Sequence, residues 1–322
     1  MSTPRRPLLL GAATLAAPFV APGVARALQA ERPIRLIVPV APGGSQDVVA
    51  RLSARALSDV LGAPVQVENM PGGGSNIGYS AAARAPADGH ILLAGSDTLS
   101  ITGALSTRLA FDPLGFAPVH RTVSVPQILV VRADDPAPDF AAWADRARTR
   151  PTPVGTPGNG SLAHLLVAQV GRATEGDWTH VPYRGGALAV NDLLAGSLSA
   201  VMINIGAVTG HVRDGRLRGL FVSPATRAAA LPDVPTLTEI GLAPYTAVGW
   251  HGLVAPPGLD PAIAERLNAA NRAGLRRPEI LERLLPLGVE PQEEGPAPLA
   301  KAIREDAARY AEVVRRFAIR AD

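Results

Sequence analysis

The chain has 322 residues, no cysteine, 4% aromatics and 31 Lys and Arg against 28 Asp and Glu. That length exceeds one ordinary domain and suits two α/β lobes, while the missing cysteine removes disulfides, thiolate nucleophiles and Cys-type zinc sites together. The basic excess lies in Arg5, Arg6 and Arg26, so the chain after residue 27 is formally neutral; with no arginine cluster among aromatics, a nucleic-acid partner is excluded.

Residues 1–27 read as a signal peptide. Arg5 and Arg6 precede an apolar run over 8–24, and Ala25-Arg26-Ala27 supplies the small-x-small site for cleavage after Ala27. Pro18 and Pro22 interrupt the run, which falls short of the roughly 20 residues that span a bilayer. The expectation is export to the periplasm by the Sec or the twin-arginine route, an oxidising compartment that also fits a chain without free thiols.

The next stretch sets the pattern for the rest. An aliphatic strand over 34–40 breaks into Pro42-Gly43-Gly44-Ser45, and apolar residues at Val48, Val49, Leu52, Ala56 and Leu57 then recur at helical spacing over 46–61. A helix start carries free backbone N–H groups and the positive end of the dipole, and the two glycines leave no side chain in the way of an anion, so the loop reads as half of a carboxylate or phosphate cradle. It is neither a P-loop nor a dinucleotide loop: the only lysine is Lys301, and Gly-x-Gly-x-x-Gly is absent. A strand over 65–69, a loop over 70–76, a helix to Arg84, a strand over 90–94 and a polar loop over 95–98 follow. Such alternation predicts a parallel sheet with its ligand loops at the strand C-termini.

The order then repeats. A strand over 153–156, the loop Pro157-Gly158-Asn159-Gly160-Ser161, a helix over 162–170 carrying His164, a strand over 179–183, a helix opened by Arg184-Gly185-Gly186 and a strand over 199–204 form a second copy. Two such lobes present Gly-rich helix starts to each other. Strands over 126–131 and 250–256 are expected to form the hinge, and helices from Asp260 to Leu275 and over 298–316 to pack on the first lobe.

Several motifs together resemble one family. Pro42-Gly-Gly-Ser-Gln-Asp47, Val67-Glu-Asn69 with Pro71-Gly-Gly-Gly-Ser-Asn-Ile-Gly78, Pro86-Ala-Asp-Gly89, Gly158-Asn-Gly-Ser161 with His164, Val181-Pro-Tyr-Arg-Gly-Gly186, Leu231-Pro-Asp-Val-Pro-Thr236 with Glu239 and Gly241, and Trp250-His-Gly252 occur in the order seen in the tripartite tricarboxylate transporter substrate-binding proteins, or Bug receptors. The resemblance covers essentially the whole chain after residue 27. It implies an α/β periplasmic binding protein type II fold, two βαβ lobes joined by a two-strand hinge: residues 28–128 and 129–248 as the lobes, and 249–322 as the return strand and helices on lobe one. It further implies an exported receptor that captures a small organic carboxylate and delivers it to the permease subunits of a tripartite tricarboxylate transporter, acting as a monomer, with no cofactor and no catalysis.

Carried over residue by residue, the resemblance places Gly43, Gly44 and Ser45 of the first loop and Gly158, Asn159, Gly160 and Ser161 of the second around one carboxylate, with Asn76, Ser96, Thr98, Tyr183 and Asn204 completing the pocket. Ser96 and Thr98 read equally as cap or turn residues. Asp47 would repel an anion and is assigned to the helix dipole or to a bond with the opposing lobe. His164 reads as a buried structural histidine and Trp250 as hinge packing. Many relatives carry an acidic residue where this chain has Asn204, which argues against a ligand whose ammonium needs a counter-ion. The alternatives are a receptor presenting its ligand to a sensor kinase, and a serine esterase using Ser161 and His164, although no Gly-x-Ser-x-Gly elbow or His-Glu-x-x-His pattern exists.

Overall fold

The computed structural model describes residues 32–106 and 108–320. The signal-peptide reading of residues 1–27 lies outside them.

The first lobe begins β1 (Ile34–Val38), α1 (Ser45–Leu61), β2 (Val65–Asn69), α2 (Asn76–Ala83), β3 (Ile91–Ser96), and β1 pairs in parallel with both β2 and β3. Helix α3 (Asp97–Leu105) follows where the sequence suggested only a polar loop. The long strand β4 (Ala117–Arg132) then leads to α4 (Phe140–Arg148) and the second lobe: β5 (Thr152–Thr156), α5 (Leu162–Ala173), β6 (Trp178–Pro182), α6 (Gly186–Leu194), β7 (Ala200–Asn204), α7 (Thr209–Arg213), β8 (Leu217–Val222). Strand β9 (Val248–Ala255) returns the chain, and α8 (Pro261–Leu275), α9 (Pro278–Leu284), β10 (Glu290–Glu294) and α10 (Pro296–Arg316) complete it.

Strand order is β2-β1-β3-β9-β4-β7-β5-β6, so the 2-1-3 order of the first lobe returns as 6-5-7 in the second. The parallel sheet inferred from sequence holds within each triplet and fails at the centre. There β9 runs antiparallel to β3 and β4, and β4 runs antiparallel to β7, β8 and β10. The reason is the hinge. Residues 117–126 of β4 pair with β9 in the first sheet, residues 127–132 pair with β7 and β8 in the second, and one strand therefore belongs to both lobes. Where it crosses, Ser223 locks the two passages together: Gln127 N–H donates to its Oγ, and that hydroxyl donates to Ala247 O.

Each lobe buries its own aliphatic core. Leu36, Leu57, Leu92 and Leu267 anchor the first, where α1 and α8 cover one sheet face. Each such leucine contributes about 1.5–3 kcal/mol over its exposed state. In the second lobe Trp143, Leu165, Leu166 and Phe221 pack under α4 and α5. Helix α8 packs on the first lobe, and the unanticipated α9 joins it there through Ile280 and Leu284, but α10 departs from the reading of the tail. Its Leu299 and Ile303 join Trp250 and Tyr79 in lobe one, whereas Tyr310 and Val314 join Leu162 and Leu166 in the second-lobe core. A 21-residue helix is about 30 Å long, enough to bridge both lobes.

Candidate functional site

The C-terminal ends of β1, β3, β5 and β7 open into one cleft of about 730 Å³ between the lobes. Both parallel triplets point these ends inward, which is where loops and helix starts of open α/β sheets gather. Lobe one contributes Val40, Gln46, the Gly72-Gly73-Gly74-Ser75-Asn76 loop, Ser96, Asp97 and Thr98; lobe two contributes Gly158, Asn159, Gly160, Ser161, Tyr183, Arg184 and Asn204. Gln127 and His251 line it from the two hinge strands. Among the described residues the wall is polar but nearly uncharged, with Arg184 as its one guanidinium and Asp97 as its one carboxyl.

The lobes approach each other closely across this cleft. A Cβ on Gly74 would lie 3.3 Å from Asn159 O, and one on Gly160 would come within 2.8 Å of a Leu105 methyl, so the two lobes meet at both positions. A hydrogen bond crosses directly. Ser45, first residue of α1, donates its hydroxyl to Asn204 Oδ1 at the end of β7 (2.7 Å) and lies 3.2 Å from His251 Nε2. Burial pushes the His251 imidazole down to about 4, so the ring is neutral at pH 7. With the Ser45 proton on Asn204, the ring donates from Nε2 to Ser45 Oγ. Asn204, its carbonyl oxygen engaged, is left with its amide N–H groups as donors on the cleft side.

The remaining expected residues divide into two groups. Asn76, Ser96, Thr98, Gly158, Asn159, Gly160, Ser161, Tyr183 and Asn204 line the cleft. Gly43, Gly44, Ser45, Asp47 and His164 do not. The Gly43 N–H is held by Asp47 Oδ2 (3.0 Å), so the first loop delivers Val40 and Gln46 to the wall instead of a glycine cradle. Asp47 does not reach the opposing lobe. Burial would raise its carboxyl, but hydrogen bonds from Arg51, Asn69 and Gly43 outweigh that and hold it below the ordinary value, tying α1 to β2 and the loop. Gln46 is fixed by its amide donating to Ala94 O (2.9 Å).

In the second loop Ser161 caps α5: its Oγ accepts from His164 N–H (3.2 Å) and donates to Gly158 O (2.8 Å). The Ser161–His164 contact therefore runs through the main chain of His164, while the ring Nδ1 accepts from Gly160 N–H (3.3 Å) and the ring stacks on His180 at 3.8 Å. Burial and the neighbouring His164 push the His180 imidazole down to about 3, and Thr156 Oγ1 holds its Nε2 at 2.7 Å. This stacked pair buttresses the Gly158-Asn159-Gly160-Ser161 turn from behind. Tyr183 donates its hydroxyl to Asp192 (2.6 Å), and burial with that carboxylate lifts the phenol to about 12, so the ring wall is what it offers the cleft.

Sequence reasoning missed Gln46, Asp97, Gln127, Arg184 and His251 as lining residues. Gln127 and His251 sit inside strands whose local pattern gives no sign of a site. Asp97 stood next to Ser96 and Thr98 in a stretch already singled out for its polarity. Among the described residues no group of three or more His, Asp or Glu is placed to hold a metal ion.

Residues 49–319 match the family described as "Tripartite tricarboxylate transporter family receptor". The chain belongs to that family. As a tripartite tricarboxylate transporter family receptor it is 36% identical over 289 residues to protein BugT of Bordetella pertussis, with 88% of this chain and 89% of BugT covered. Among solved structures, MatC from Rhodopseudomonas palustris with bound malate is 31% identical with a TM-score of 0.83, covering 88% of this chain and 99% of MatC. Rpa4515 of R. palustris with adipate is 30% identical with a TM-score of 0.85, covering 90% and 98%. The receptor family to which this chain belongs is one of periplasmic solute-binding proteins, and the fold is theirs. Among the described residues no helix is long and apolar enough to cross a membrane.

Proposed function

We propose that this receptor captures a small organic carboxylate in the cleft and hands it to the membrane subunits of a tripartite tricarboxylate transporter. The observation that carries the reading is the cleft itself: about 730 Å³, shared by both lobes, at the starts of α1, α2, α5 and α6, and donor-rich without being strongly cationic. Helix starts and amide donors suit a carboxylate, whose charge they stabilise without a fixed counter-ion. Malate and adipate in two relatives support the same class. Lobes over residues 28–128 and 129–248, with the return strand and α8 on the first and α10 bridging both, would close about the crossing of β4 and β9, because a ligand bonded to both lobes binds the closed state more tightly than the open one. The protein acts as an exported periplasmic monomer, without catalysis and without a cofactor.

A thermal-shift panel of mono-, di- and tricarboxylates, aromatic acids, acidic amino acids and phosphate tests this. A ligand at about 100 times its Kd adds roughly 2.7 kcal/mol, which moves the midpoint of a protein this size by several degrees. A selective shift with one carboxylate class is the expected result, and a flat panel sinks the reading.

A further inference from the structure

Among the described residues Asp97 is the one carboxyl in the cleft wall, and its surroundings are unusual for a carboxylate. It opens α3 at 7% exposure, and it accepts N–H groups from Thr98 and from Trp250 on hinge strand β9. The Oδ2 atom lies against Gly249, where any Cβ would collide with it, so the glycine admits the carboxyl to the hinge.

The groups facing Asp97 are these. From α10 come the Asp306 carboxyl and the Tyr310 phenol, and from α2 the Tyr79 phenol; Arg309 of α10 and Arg121 of β4 act on Asp306, and the neutral His251 of β9 lines the same cleft. The two cations are engaged elsewhere. Arg309 bonds Asp306 Oδ1 (2.8 Å) and Arg121 bonds Glu294 (3.2 Å). Among the described residues Asp97 forms no ion pair. Burial, and next the Asp306 charge, lift its carboxyl to about 7.

An anionic ligand adds a further negative charge to the same low-dielectric space. Like charges that close cannot all remain ionised, and the group with the least compensation takes the proton. Asp306 has the Trp250 indole N–H and Arg309; Asp97 has only two backbone donors and the Thr98 hydroxyl.

We propose that Asp97 is a proton-linked charge gate of the cleft: it carries a proton whenever a ligand carboxylate is bound, so that capture of an organic anion takes up one proton from solution. The inference rests on the carboxylate-receptor reading above. In its protonated form Asp97 is a donor that an anion tolerates; ionised, it opposes the same ligand. The gate thus favours fully ionised acids over ligands that bring their own ammonium only below the pH at which it ionises.

The test is calorimetric titration of the protein with malate and with adipate in paired buffers of different ionisation enthalpy, from about pH 6.5 to about pH 8.5. Proton uptake is expected to rise toward one per ligand at the alkaline end, with affinity there falling by roughly tenfold per pH unit. Asp97→Asn is expected to abolish the uptake and flatten the profile, and Asp306→Asn to move the onset of uptake to lower pH, because removing the neighbouring negative charge lets Asp97 ionise earlier in the unliganded protein. Binding without proton uptake in the wild type, or uptake that survives Asp97→Asn, overturns the gate. Infrared spectroscopy reads Asp97 without any ligand: a protonated carboxyl band near pH 6 that disappears in Asp97→Asn supports it, and absence of that band overturns it. If neither acid binds while the band is present, the carboxylate reading fails for these ligands and the protonated Asp97 stands.

Discussion

Asn204 decides which charge the end of β7 presents to a ligand. Its oxygen is taken by Ser45, so the side chain can offer only N–H groups to the cleft, and a carboxylate is the acceptor that suits them. Asn204→Asp replaces those donors with a negative charge of similar shape. Hydrogen bonds to charged groups are worth about 1.5–3 kcal/mol, so malate or adipate affinity is expected to fall roughly tenfold or more, while aspartate, with an ammonium to pair, gains relative to them. Parallel titrations with the three ligands check this; an unchanged order removes Asn204 from ligand contact. Asn204 was legible because it stands alone at a strand end. His251, 3.2 Å from the same Ser45 hydroxyl, was not, since a contact spanning 206 positions leaves no trace in local pattern.

At the scale of elements, what aims α1 at the cleft is its packing on α8. Gly274 on α8 sits so close to Ala56 that a Cβ would fall 2.5–2.6 Å from the Ala56 Cβ, Cα and carbonyl oxygen. Backbone cannot step aside as a flexible side chain can. Gly274→Ala gains up to about 1 kcal/mol in helix propensity, but overpacking of this kind costs about 1–3 kcal/mol, and with backbone in the way the cost prevails. Urea denaturation is expected to show a lower midpoint at unchanged slope; a more stable variant would mean that the two helices separate freely. Helices α1 and α8 announce themselves by apolar periodicity, as do the strands of both triplets. Strand β10, Glu290-Pro-Gln-Glu-Glu294, does not: it holds its place through register with β4 and the Arg121–Glu294 ion pair, not through buried apolar residues. Helix α3 was hidden for another reason. Its Thr, Ser and Gly residues have weak helix propensity, and it forms because Leu99 and Ile101 are buried and Ser100 bonds Ile303 O on α10.

For the molecule as a whole, the two-lobe plan was readable from the repeated strand, glycine loop and helix, whereas the exchange of partners along β4 was not, because hydrophobic alternation does not say which lobe a strand pairs with. The same central region sets how stability responds to pH. The Asp97 carboxyl, at about 7 in the folded protein against 3.8 when unfolded, makes the native state bind the extra proton between those values. Its contribution is therefore full below about pH 4 and is lost as pH rises through 7. The buried His120 and His251, each held near 4 against an ordinary 6.5, act in the opposite sense: the unfolded chain binds more protons, and their contribution is lost as pH falls from 6.5 toward 4. Asp47, Asp88 and Glu293, lowered by their partners, add a further loss below the ordinary carboxylate range. Opposing slopes blur the wild-type profile between pH 4 and 7, so the informative quantity is a difference. Asp97→Asn cannot ionise, and its stability relative to wild type is expected to rise steadily from pH 4 to pH 7 and then to keep rising only if Asp97 ionises later than the fold predicts. Thermal denaturation of both proteins across that range measures it, and a difference that stays constant would place the titrating proton on a group other than Asp97.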